Sequence, residues 1–196
     1  MGPKYEFTGK EADVNGMILK QIRRINDGLI GGWIEDESNL SQVGSCFVYD
    51  MACVCQQARV VENAEIRDNV IVSGSANISG YATVSGEAEI KGNAVISGYS
   101  QIYDNCIIDG YAEIDDSARV HGHATVDGNA KVYNCAEIDD YATVTDDAMV
   151  CDDAKVYDEA KICQGATVRG TSEVGRYNVI KGISEIINVK YDWEVK

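Results

Sequence analysis

Two histidines, His121 and His123, flank Gly122 in the run HGH. An imidazole steadied by a carboxylate can take a proton from a hydroxyl or an amine, which is general-base chemistry. Whether either histidine has such a carboxylate depends on its neighbours in space, and a six-residue repeat supplies them. Residues 72–77 read VSGSAN, 78–83 read ISGYAT and 84–89 read VSGEAE. Every sixth residue over 48–186 is Val or Ile, 24 positions in all, and the residue two before it is Ala at 17 of them. With the aliphatic position called i, residues i−2 and i face inward while i−1 and i+1 are polar or variable, the alternation of a strand. Position i+2 is Gly ten times, Asp eight times and Asn twice, and these residues tolerate left-handed backbone at least cost.

The unit is therefore one short strand and one corner. Three such units close a triangle of 18 residues, so 24 units make about eight coils, stacked to roughly 38 Å. The expected fold class is all-β: a single-domain parallel β-helix of about eight triangular coils over 46–188. Residues 1–45 form an N-terminal hairpin and loop cap, and 189–196 a C-terminal capping strand. In the cap, KYEFTG alternates and Asn15-Gly16 suits a tight turn, so a hairpin is expected. Ile18, Ile22 and Ile25 would equally form one stripe of a short helix, which leaves residues 17–25 open between strand and helix. The run GLIGGWIEDESNLSQVG reads as a Gly-rich loop whose Trp33 plugs the open end of the core. No Lys-Ser/Thr follows GLIGG, so it is not a phosphate loop.

Residues 18 apart stack on the outer surface. His121 then lies between Tyr103 and Asp139, and His123 between Asn105 and Tyr141. His121, His123, Asp139 and Tyr103 are the candidate catalytic set. A solvent-facing turn with ladder neighbours accounts for the same residues. Seven Cys are scattered along the repeat, an odd number that suits free thiols. Cys46 and Cys106 fall at i−2 and should be buried, whereas Cys53 and Cys55 should point out from one strand. No second Cys/His pair stands beside them to complete a zinc site, so no metal is expected.

Charge is uneven. The net formal charge is −15 and the isoelectric point about 4.4, which argues against nucleic acid or an anionic membrane as ligand. No window holds eighteen consecutive apolar residues, and the first sixteen residues lack an apolar leader core, so the expected compartment is the cytoplasm. Residues 104–159 hold 15 Asp/Glu against Arg119, Lys131 and Lys155. Doubled pairs, Asp115-Asp116, Asp139-Asp140, Asp146-Asp147 and Asp152-Asp153, exceed what corners require. They form an acidic band suited to a basic protein partner, to weak cation binding or simply to solubility. On the Val54 side, Ile71 and Ile107 mark the least charged face, the candidate for self-association.

GLIGGWIEDESNLS, then CFVYDMACV, then the A-x-V-x-G rhythm resemble the hexapeptide-repeat, left-handed parallel β-helix superfamily. More narrowly they resemble a bacterial and phage-borne group with a leading hairpin and a "GGWIE…NLS" segment, often labelled acyltransferase. The resemblance implies a left-handed coil, a trimer, and a His base acting on acetyl-coenzyme A. Superfamily enzymes build the site between subunits with a loop extruded from a coil. This repeat extrudes none, and its Gly sits at i+2 where the enzymes tend to place it at i+1. The leading expectation is a non-enzymatic scaffold or interaction protein, phage-derived and acting on a host factor through its acidic band, with no cofactor. The runner-up is an acyl-coenzyme A-dependent acyltransferase.

Overall fold

A computed structural model describes residues 2–14 and 16–191. The chain opens with an antiparallel hairpin, β1 (Tyr5–Val14) and β2 (Met17–Arg24), with Val14 opposite Met17. Residues 17–24 are thus strand, and the helical alternative is excluded: Ile22 is buried, but Ile18 and Ile25 are exposed. Asn15 of the expected turn lies outside the described residues.

The segment read as a Gly-rich loop is instead β3 (Ile30–Ile34) followed by a short 3-10 turn at Glu37–Asn39. Trp33 pairs with Cys53 and Ile34 with Val54 in parallel register, and Leu40 bridges Val60. Ile34 and Leu40 are fully buried, so a leading turn precedes the regular beat. Gly31 and Gly32 are required by its close approach: a Cβ on Gly31 would sit 2.7 Å from the Phe47 ring, and one on Gly32 2.4 Å from the Ala52 carbonyl. Trp33 is only half-buried, so it is not the plug. That place is taken by Tyr5, Ile22 and Phe47, all buried in the core cluster, with the Tyr5 hydroxyl donating to the Leu40 carbonyl at 2.8 Å. Burial pushes the Tyr5 phenol well above its ordinary value, helped by Glu37.

From Phe47–Val48 onward, strands of two or three residues recur every six residues. Parallel pairs join residues 18 apart, as in Glu65 with Thr83, Val72 with Ile90 and Val95 with Glu113. Three sheets result, of eleven, nine and eight strands. They are named here by Val54, Val48 and Val60, which lie in the first, second and third. Nine strands on the Val48 face make about nine turns. Aliphatic residues at i and Ala at i−2 fill the interior with no exposure from Val48 to Val168. Ser100 and Ser172 replace Ala at two buried i−2 positions; the Ser172 hydroxyl donates to Arg169 O at 2.7 Å, so neither residue leaves a bare polar group. At the far end Lys190–Tyr191 adds a parallel strand against Glu173–Val174, one residue short of the regular spacing. Trp193, expected on the same strand, lies outside the described residues.

All 24 i+2 residues have positive φ, between +52° and +80°. Gly bears this freely; the Asp, Asn, Gln56, Glu62, Gln164 and Arg176 corners need compensation. A corner N–H turns out of the inter-coil ladder, and at most corners a side chain meets it. At eleven corners the acceptor is the Asp, Asn, Gln or Glu side chain one coil below, for example Asp152 Oδ2 from Gly170 N at 2.9 Å and Asp158 Oδ2 from Arg176 N at 2.7 Å. Where the residue below is Gly92, Gly110 or Gly122, the i+1 Asp of the same corner serves: Asp109, Asp127 and Asp139. Asp152→Ala loses its exposed bond to the Gly170 amide and leaves Ala at a left-handed φ of +60°, and should cost about 1–2 kcal/mol, while Asp153→Ala should stay within about 0.5 kcal/mol. Ile108→Ala, in the centre of the core, should cost about 2–5 kcal/mol. Urea unfolding of the three variants checks all three values.

Candidate functional site

Strands of the Val48 face turn their i−1 and i+1 side chains outward, and 18-residue stacking places them in columns. The i−1 column alternates in charge through Arg119, Glu137, Lys155, Glu173 and Lys190. His121 stands in the i+1 column beside it, its ring stacked on Tyr103 with centroids 4.6 Å apart and planes 6° apart. Nδ1 lies 2.7 Å from Asp139 Oδ1 and Nε2 3.1 Å from Glu137 Oε1. The His121 side chain is only 13% exposed. Glu137 Oε2 in turn lies 2.7 Å from Lys155 Nζ and 3.4 Å from Arg119 Nη2. Partial burial opposes ionisation of Glu137, but Lys155, His121 and Arg119 outweigh it and hold the carboxyl below its ordinary value. Burial moves the Tyr103 phenol upward.

The structure thus brings together three of the four candidate catalytic residues, His121, Asp139 and Tyr103. It also adds Glu137, Lys155 and Arg119, which the sequence reading missed. The signal was present: Glu137 lies between Arg119 and Lys155 in an 18-residue column, 16 residues from His121. A general base needs one imidazole nitrogen with its lone pair directed at substrate. Both His121 nitrogens face carboxylates instead. His123 stands apart, exposed on the other side of the corner and stacked on Tyr141 with centroids 4.9 Å and planes 7° apart.

The eight Asp residues of the acidic band occupy all three corners, not one concave surface. Asp139-Asp140 follow the Val48 face, Asp146-Asp147 the Val54 face, and Asp115-Asp116 with Asp152-Asp153 the Val60 face. Asp116, Asp140, Asp146 and Asp152 each hold the corner amide of the next coil. Asp115 accepts from the Ser97 hydroxyl at 2.8 Å and Asp147 from the Asn129 amide at 2.9 Å. All remain exposed except Asp139, which is half-buried against His121. Among the described residues no three His, Cys, Asp or Glu side chains converge on one point that could hold a metal ion.

Cys46 and Cys106 are buried at i−2, and burial pushes the Cys106 thiol up to about 12. Cys55, expected to point out, is buried: its Sγ lies 3.7 Å from Val72 O in the next coil, and desolvation raises the thiol to about 11. A short thiol at i+1 folds back against the strand above it. Ile71 and Ile107 both face solvent on the Val54 side, separated by Glu89, which pairs with Lys91 at 3.5 Å. No helix of the described residues is long and apolar enough to cross a membrane.

No protein-family model and no curated protein matches this chain.

Glu137→Gln leaves Lys155, Arg119 and His121 without their shared anion and should cost about 1–3 kcal/mol at neutral pH. The native carboxyl is depressed below its ordinary 4.5, so its contribution is present above that value and is lost as pH falls through the native-state value. Unfolding of both proteins from pH 7 to pH 3 should show the gap closing at the acid end.

Proposed function

We propose that this chain is a non-enzymatic interaction protein whose rigid solenoid presents ladders of carboxylates to a basic protein surface. The observation that carries this reading is that the acidic side chains are pinned. At the corner after the Val48 face, Asp104, Asp140 and Asp158 are each tied to the next coil's amide, with Asp139 and Glu159 beside them. Charges held at fixed intervals lose little side-chain freedom when a partner docks, and their field steers a basic surface toward them. We read the coil as left-handed and the partner as a host factor met by a phage-borne protein, in line with the group the sequence resembles.

The competing reading is acyl transfer from acetyl-coenzyme A with His121 or His123 as base. It has less support, because both His121 nitrogens are engaged by carboxylates and His123 stacks on Tyr141 in the open. Titration with acetyl-coenzyme A separates the two: saturable binding lost in His121→Ala/His123→Ala would contradict the interaction reading. For that reading, capture of a basic partner from native extract should collapse as salt rises from about 0.05 to 0.5 M, since screening shortens the reach of surface charge. Neutralising carboxylates that do not hold corners, with Asp153→Asn and Glu159→Gln, should weaken capture without loosening the fold. Salt-insensitive capture would count against it.

A further inference from the structure

We propose that the groove between Tyr141 and Tyr177 binds a guanidinium group, so that the basic partner is gripped through an arginine side chain; this rests on the interaction reading above. Tyr141 and Tyr177 stand two coils apart in one column, with Glu159 on the rung between them. Both rings are largely exposed, at 62% and 77%. They wall a groove of about 520 Å³ whose other lining residues are Asp140, Asp158, Glu159 and Arg176.

The spacing of the fold sets the width of this slot. Rings on consecutive coils stack face to face elsewhere: Tyr81 on Tyr99 at 5.0 Å, and His123 on Tyr141 at 4.9 Å. Rings two coils apart therefore stand about 9.6 Å between centroids, twice the strand spacing. Glu159 leaves out one ring of this ladder, so the gap has the thickness of a single planar group. A planar cation placed midway is about 4.8 Å from each ring, inside the roughly 6 Å reach of a cation–π contact. The protein already makes half of this arrangement. Arg67, one coil beyond Tyr49 in a neighbouring column, lays its Cζ 4.0 Å from the Tyr49 ring centre.

Charge selects a cation, and geometry selects guanidinium over ammonium. Three carboxylates against the one guanidinium of Arg176 leave the groove anionic. Asp140 and Asp158 each spend Oδ2 on the corner amide of the next coil, at 3.1 and 2.7 Å. Those bonds fix in place two carboxylates that line the groove. A guanidinium stacks on two faces at once and keeps its N–H donors in plane for carboxylates, whereas a lysine ammonium is a hydrated point charge.

The test titrates the intact chain, by calorimetry in about 0.05 M salt, with two short peptides identical except for Arg or Lys at one position. The Arg peptide should bind about tenfold more tightly, the sum of two exposed stacking contacts. Tyr141→Ala and Tyr177→Ala, both at exposed positions, should each remove most of that preference while leaving Lys-peptide affinity unchanged. Glu159→Tyr, which supplies the missing ring, should also abolish it by closing the slot. Equal affinity for the two peptides, or a preference that survives the tyrosine variants, overturns the slot and leaves the acidic-surface reading standing. Failure of both peptides to bind overturns both.

Discussion

The amide at each corner is the constraint on which this architecture turns. Between coils the backbone pairs itself, Cys53 N to Val70 O, Cys55 N to Val72 O, Gln57 N to Gly74 O, and so upward. The left-handed corner residue is the exception. Its N–H leaves the ladder and takes a side chain or water as its acceptor. At fourteen of the 24 corners Asp, Asn, Gln or Glu one coil below, or Asp one position earlier, answers it. Much of the negative charge that makes the chain so acidic is thus a by-product of turning every six residues without proline. Glycine corners solve the φ problem alone; carboxylate corners solve φ and the amide together, at the cost of charge.

The same lattice decides what the surface can do. Every outward side chain has its neighbours set by residues 18 before and after it and by the adjacent column. His121 is therefore caught among Tyr103, Asp139 and Glu137, and Glu137 among Lys155, Arg119 and His121. Such a cluster is good at holding charge still. It is poorly suited to proton transfer, which needs a nitrogen facing substrate.

Much of this was legible in the chain itself. The Val/Ile beat gave the parallel coils, and their columns put Asp139 and Tyr103 beside His121. The leading turn was hidden because Ile34 and Leu40 pair with residues 20 positions on, not 18, so two extra residues carried them out of phase. Cys55 was misplaced because alternation describes direction at Cβ, and a short side chain at i+1 can still fold against the next strand. Glu137 was missed because its link to His121 is diagonal, between columns. The role of the corner Asp residues needed backbone φ and hydrogen-bond partners, which no pattern of residue types displays.

Amide hydrogen exchange at the corners tests the central claim most directly. Asn134, Asp158, Gln164 and Gly170 stand over carboxylates that accept their N–H, whereas Gly92, Gly98, Asp104 and Asp146 stand over Gly74, Gly80, Gly86 and Gly128. If side chains from the coil below complete the corners, the first group exchanges about tenfold more slowly than the second. Equal exchange in the two groups would contradict it.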